Sequence, residues 1–76
     1  MVESEFIMKV CENIKLRRLE LSIKQIDLAY SIGIEATNLR RIEAGKTCPS
    51  LKTLCRIASA LNIDVVDLIP MGKPSY

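Results

Sequence analysis

The sequence predicts an all-α fold, a compact five-helix bundle that forms one domain. Three observations lead to this prediction. No segment alternates apolar and polar residues for long enough to form a half-buried strand. Apolar residues recur instead at helical spacings, and the 76 residues contain neither an internal repeat nor a linker-like stretch. We therefore expect residues 1–76 to fold as a single domain, with a flexible tail over residues 70–76.

The first three helices follow from apolar spacing and from glycine. Apolar residues at intervals of three, four and seven predict a first helix over about residues 4–20. A second helix over about residues 24–31 is interrupted at Gly33. A third covers about residues 35–44 and stops at Gly45, because glycine readily adopts the left-handed conformation that ends helices.

The last two helices are bounded by polar caps and by proline. Ser50 is a favourable N-cap for a fourth helix, whose apolar residues recur at helical spacing as far as a C-cap at Asn62. Asp64 begins a short fifth helix that Pro70 closes, since proline cannot continue a helix.

The second and third helices, about residues 25–44, are joined by a short turn that contains glycine. Such a turn permits the steep crossing of a helix-turn-helix, although many small bundles have equally short connections. With Leu39 turned toward the core, helical geometry at about 100° per residue puts Ile42 and Glu43 on the buried side. The exposed face then consists of Thr37, Arg40, Arg41 and Ala44.

This exposed face suits the major groove of DNA, because arginine can bind guanine bidentately and threonine offers a methyl and a hydroxyl group. The small Ala36 would let the start of the helix approach the groove closely. The alternative is an ordinary solvated face with two surface arginines. Charge favours the first interpretation: residues 36–56 contain five basic residues and one acidic residue, a net +4 within a chain of net +2. A basic centre between near-neutral flanks is typical of phosphate contact.

Glu43 lies on the apolar side of the third helix and therefore needs a charged partner. Two arginines of the first helix, Arg17 and Arg18, each lie about 50° from the centre of its apolar stripe. We expect one of them to pair with Glu43 and to fasten the first helix to the third. Helical geometry does not choose between them.

A longer signature runs from Arg18 to Leu68 and includes the continuous stretch IEAGKTCPSL. Its spaced residues are Arg18, Gln25, Leu28, Ala29, Gly33, Ile34, Leu39, Arg41, Ile42, Glu43, Gly45, Lys46, Pro49, Ser50, Leu51, Leu54, Ile57, Ala58, Ala60, Leu61 and Leu68. This signature resembles the Cro/CI-type helix-turn-helix domain of phage repressors and their bacterial relatives, a lambda repressor-like DNA-binding domain, over about residues 14–69. The resemblance implies a sequence-specific DNA-binding transcription regulator, a repressor or controller protein that is not an enzyme.

The resemblance also implies which residues position the domain on DNA. Gln25 matches a glutamine that bonds a phosphate and braces the recognition helix, and Lys46 matches a lysine that approaches the backbone after that helix. Lys24 replaces the usual Ser or Thr cap, which loses a cap but adds a possible phosphate contact. Arg18, rather than Arg17, matches the arginine that pairs with Glu43.

The base-facing positions of the family correspond here to Ala36, Thr37 and Arg41, with Arg40 beside them. Because Ala36 stands where a polar reader is more usual, base readout would depend on Thr37 and Arg41. Glu35 stands where Ser or Asp usually opens the third helix, and its carboxylate could repel phosphate or accept from cytosine.

Members of this family usually bind as homodimers to two-fold operators whose half-sites lie one helical turn apart. We expect the dimer interface on the fifth helix, which carries more apolar surface than a short terminal helix needs: Val65, Val66, Leu68 and Ile69. Leu16 and Leu19 on the first helix form the rival surface, and either set could instead complete the core. The second possible function is a protein-interaction or antitoxin-like module on the same fold.

Other classes of function are disfavoured by composition. The chain contains no histidine, which excludes a Ser-His-Asp triad, a Cys-His pair and imidazole metal ligands. Its three cysteines have no CxxC spacing, so we expect reduced thiols that are buried or half-buried, no metal and no cofactor. No small-molecule ligand is expected. The sequence shows no signal peptide and no membrane-spanning run, so we expect a cytoplasmic protein held at the nucleoid by DNA.

Overall fold

The structure is a computed structural model that describes residues 3–70. This part of the chain is all-helical and contains no strand. Except for Pro70, the tail predicted over residues 70–76 lies outside the described residues. The four α-helices are α1 Glu3–Glu20, α2 Gln25–Ile32, α3 Ala36–Glu43 and α4 Leu51–Ala60.

The predicted fifth α-helix is instead a single turn of 3-10 helix, Val65–Leu68. Five α-helices were therefore one too many, since residues 3–70 contain four. The reason is Pro70, whose ring disfavours helical backbone in the residue before it. Ile69 accordingly has an extended backbone with φ −82° and ψ 128°. Between Asp64 and Ile69 only one turn fits, and a turn this short commonly takes the tighter 3-10 form.

Each α-helix ends in the same backbone arrangement. A residue with left-handed backbone follows the helix, and the next N–H donates to the carbonyl five residues earlier, at 3.0 or 3.1 Å. This is the Schellman motif, which satisfies carbonyls that the helix end leaves free. The four left-handed residues are Ser22, Gly33, Gly45 and Asn62, with φ between 57° and 77°. Every helix therefore stops through bonds formed within its own last turns.

The core lies between the four helices and the 3-10 turn. α2 packs against α3 and α4, while α1 packs against α3 and the 3-10 turn. Two side chains of α1 secure distant segments: Asn13 Nδ2 donates to the Leu68 carbonyl at 3.0 Å, and Arg17 Nε donates to the Leu61 carbonyl at 3.2 Å. The largest fully buried side chains are Cys11, Ile14, Leu28, Leu39, Ile42, Ile57, Leu61 and Leu68. α3 is thus fixed by its apolar side, which leaves its other side outward.

The cysteines divide between the interior and the surface. Cys11 is buried, but Cys48 and Cys55 are exposed, so the expectation of buried or half-buried thiols is wrong for two of the three. Burial, and in second place charge repulsion from Cys48 in its ionised form, raise the pKa of Cys11 above its ordinary value. None of the helices in residues 3–70 is long and apolar enough to cross a bilayer.

Candidate nucleic-acid interface

α2 and α3 are joined by a tight turn that begins at Gly33. Gly33 has φ +77°, a backbone conformation that L side chains rarely adopt, and its N–H bonds back to the Tyr30 carbonyl at 3.2 Å. Ile34 follows as a half-buried residue packed against the core, and Glu35 is the N-cap of α3. The turn therefore joins the two helices through three residues and sets α3 directly against α2.

Both helices of this motif begin without a capping side chain. Lys24 before α2 and Glu35 before α3 have extended backbones, and neither side chain accepts a bond from its helix. The first N–H groups of a helix have no partner within it, and together with the helix dipole they attract anions. The absence of a capping side chain thus leaves both helix starts available to a phosphate. Lys24, which is exposed, adds a positive charge at the first of them.

The side chains of α3 divide into a buried side and an exposed side. Leu39 is 0% exposed and Ile42 is 2% exposed, and Glu43 is buried beside them. Ala36 is half-buried and packs against the core, which leaves part of its surface facing outward at the start of the helix. The exposed side chains of α3 and its C-cap are Thr37, Asn38, Arg40, Arg41 and Ala44.

An open cleft brings part of this exposed side together. It is lined by Thr37, Asn38 and Arg41 of α3 and by residues 33–35 of the turn. Of the predicted reading residues, Thr37 and Arg41 line the cleft, whereas Ala36 and Arg40 do not. Asn38 is not among the residues predicted from the sequence, although its spacing of three from Arg41 places the two side chains next to each other on a helix.

A buried network of charged and polar groups holds α3 in place. Arg18 of α1 makes two bonds to the Glu43 carboxylate, from Nε at 2.7 Å and from a terminal guanidinium nitrogen at 3.0 Å. Its other terminal nitrogen donates to the Ile23 carbonyl at 2.7 Å. Gln25 Nε2, at the start of α2, donates to Glu43 at 2.9 Å. One carboxylate therefore connects α1, α2 and α3.

The alternative partner of Glu43, Arg17, is engaged elsewhere. One of its terminal nitrogens lies 2.6 Å from the Glu20 carboxylate, a pair exposed to solvent. Arg18, by contrast, is only 8% exposed, and the bidentate bonds shield its charge from the apolar core. In residues 3–70 every buried side-chain nitrogen and oxygen has a hydrogen-bond partner.

The apolar residues around the 3-10 turn differ in exposure. Val66 is 54% exposed, and Val65 and Ile69 are half-buried. Leu68 is one of the residues predicted from the sequence to form the dimer interface. Leu68 is 0% exposed within its own chain, however, so its side chain is not available to a second copy. On α1 the rival pair is also exposed, Leu16 at 53% and Leu19 at 52%.

Two short helices joined by a glycine turn, with the second helix held by a buried ion pair and presenting a polar outer face, define a helix-turn-helix domain. The family model HTH_3, described as helix-turn-helix, matches residues 14–68. The chain belongs to this helix-turn-helix family.

Two curated proteins are similar to this region. The ImmF control region 10 kDa protein of Bacillus phage phi105 is 44% identical over 52 residues, which are 68% of this chain and 58% of that protein. The HTH-type transcriptional regulator DdrOP3 of Deinococcus deserti is 39% identical over 62 residues, 82% of this chain and 48% of the regulator. The chain thus spans about half the length of these curated relatives.

A solved structure is similar over most of both chains. A mutant of the restriction-modification controller protein C.Esp1396I matches with a TM-score of 0.79 and 33% identity, over 88% of this chain and 85% of that one.

Proposed function

We propose that this chain is a non-enzymatic, sequence-specific regulator of transcription that binds double-stranded DNA as a homodimer, with α3 in the major groove. The observation that carries the proposal is the outer face of α3, where Thr37 and Arg41 are exposed while a buried ion pair fixes the helix from behind. A recognition helix needs this combination, because base contacts require side chains held in a fixed register.

The distribution of charge supports the same function. The five basic residues within residues 36–56 are all exposed, whereas the single acidic residue, Glu43, is buried and paired with Arg18. The effective charge of this surface is therefore more positive than the sequence count. Such a patch attracts phosphate regardless of base sequence.

We assign the residues to two tasks. Gln25, Lys24 and Lys46, with the free N–H groups at the two helix starts, would contact phosphates and set the position of the domain. Thr37 and Arg41 would read base edges, with Ala36 packing closely against the groove and Arg40 beside the readers. Because Gln25 Nε2 has two hydrogens, it can bond Glu43 and a phosphate at the same time.

The names of the relatives agree with this proposal: one is a transcriptional regulator, one belongs to a phage control region and one is a controller protein. Residues 3–70 would form one folding unit that suffices for DNA binding.

The direct test is a selection from randomised duplexes, followed by binding titrations at several salt concentrations. We expect a two-fold sequence with half-sites about 34–36 Å apart. Recovery of no preferred sequence would contradict the proposal and favour a protein-interaction module.

Replacing Arg41 by alanine should relax base preference at one position of the half-site. The expected cost is about 1–3 kcal/mol at that base pair, because one bidentate contact is lost. Lys46→Ala is the matched control: it should weaken all duplexes alike and reduce the salt slope by about 1 for each bound chain. Fluorescence anisotropy on selected and random duplexes measures both. Equal losses on the two duplexes for Arg41→Ala would show that Arg41 contacts phosphate only.

For the homodimer we propose a seam formed by Val65, Val66 and Ile69. Val66→Asp should convert the dimer to a monomer in sedimentation velocity runs at micromolar concentration, because a charge in an apolar interface must be desolvated. Leu16→Asp is the matched control, since Leu16 is 53% exposed and Val66 is 54% exposed. Dissociation by Leu16→Asp alone would move the seam to α1, and a monomeric wild type would contradict the homodimer.

A further inference from the structure

Asn38 lies on the outer face of α3 at a position from which a side chain could contact base edges. Its side chain is exposed and lines the same cleft as Thr37 and Arg41, whereas Arg40 lies outside that cleft. It is also one turn closer than Arg41 to the start of α3, the end of a recognition helix that approaches the base edges. At this position a short side chain can therefore reach the base edges, whereas a residue farther along the helix would need a longer side chain to do so.

We propose that Asn38 is a second base reader, which specifies an adenine next to the guanine read by Arg41. The assignment rests on the proposed DNA-binding function. The side-chain carbonyl of asparagine can accept from adenine N6 while its amide nitrogen donates to N7, a pairing that no other base offers. Arginine makes the corresponding pair of bonds to guanine.

The spacing of the two side chains agrees with adjacent base pairs. Asn38 and Arg41 are three residues apart, so they lie about 4.5 Å apart along the helix axis, with Cβ atoms about 5–6 Å apart. Neighbouring base pairs are separated by about 3.4 Å. Each half-site of the operator should therefore contain an adenine adjacent to the guanine that Arg41 requires.

The experiment uses the duplex obtained from the randomised selection and its variants with each other base at the assigned adenine. By fluorescence anisotropy, the wild type should prefer adenine by about 5- to 150-fold, the range of one bidentate contact. Asn38→Ala should lose that preference while keeping the preference for guanine. Because alanine is the best helix former and the site is exposed, the variant should fold normally, which far-UV circular dichroism verifies.

A modified base isolates the contact itself. The base 7-deazaadenine lacks the N7 acceptor but still pairs with thymine. The wild type should bind a duplex with this base more weakly than the unmodified duplex. Asn38→Ala should bind the two duplexes equally well. Ser59→Ala, at an exposed position on α4, is the control and should behave as the wild type with every duplex.

Three results would overturn the assignment. A uniform loss of affinity in Asn38→Ala would mean a phosphate contact, and no change would mean a solvated side chain. A selected half-site without adenine beside the guanine would also contradict it. These failures leave DNA binding intact, whereas a wild type that selects no sequence at all would remove the proposed function and this assignment together.

Discussion

Replacing Glu43 by alanine is expected to lower the free energy of unfolding by about 3–5 kcal/mol, because it leaves a buried guanidinium without its carboxylate. Arg18 is 8% exposed and makes two of its three side-chain bonds to Glu43, and Gln25 would lose its acceptor as well. A chain of this length has a total stability of about 4–11 kcal/mol at about 0.05–0.15 kcal/mol per residue. The variant should therefore lose a large part of the stability of the fold, as measured by urea denaturation followed by circular dichroism.

Two further variants make this test specific. Glu20→Ala removes the partner of Arg17 in a pair whose carboxylate is 67% exposed, and it should cost about 0–1 kcal/mol. Replacing both members of the buried pair, Arg18→Met with Glu43→Leu, should recover much of the stability lost in Glu43→Ala, since no charge is then left without a partner. A melting curve of Glu43→Ala that coincides with the wild type would show that the pair does not hold α3.

Leu39→Ala is expected to destabilise the fold by about 2–5 kcal/mol, through lost burial and the cavity left in the core. Leu39 is 0% exposed and anchors the side of α3 opposite its reading face. Leu51→Ala makes the same chemical change at a residue that is 70% exposed, and its effect should stay within about 0.5 kcal/mol. Urea denaturation of the two variants gives the comparison. Equal losses would contradict the orientation of α3.

The α-helices and the outer face of α3 could be predicted from the sequence, because both depend on local periodicity. Once Leu39 is assigned to the core, the positions of Thr37 and Arg41 follow from helical geometry. The 3-10 turn is also predictable in principle from Pro70, because the effect of proline on the backbone of Ile69 is local.

Other features depend on how the helices pack, which periodicity does not determine. Arg17 and Arg18 lie on either side of the α1 stripe, and only the crossing of α1 with α3 decides which one reaches Glu43. Leu68 looked like surplus apolar surface, yet α1 and α4 enclose it fully. Asn38 and Arg40 are equally far from Leu39 on a helical wheel, and the adjoining turn at residues 33–35 is what separates them.

The helix ends have a consequence for the speed of folding. Since every α-helix stops through hydrogen bonds within its own last turns, no distant segment has to arrive before a helix can end at the correct residue. Contacts between residues close in sequence form early, because little chain entropy is lost in closing short loops. Small helical domains of this kind fold in microseconds to milliseconds. A newly made chain would therefore expose its apolar side chains to solvent only briefly before the core has formed.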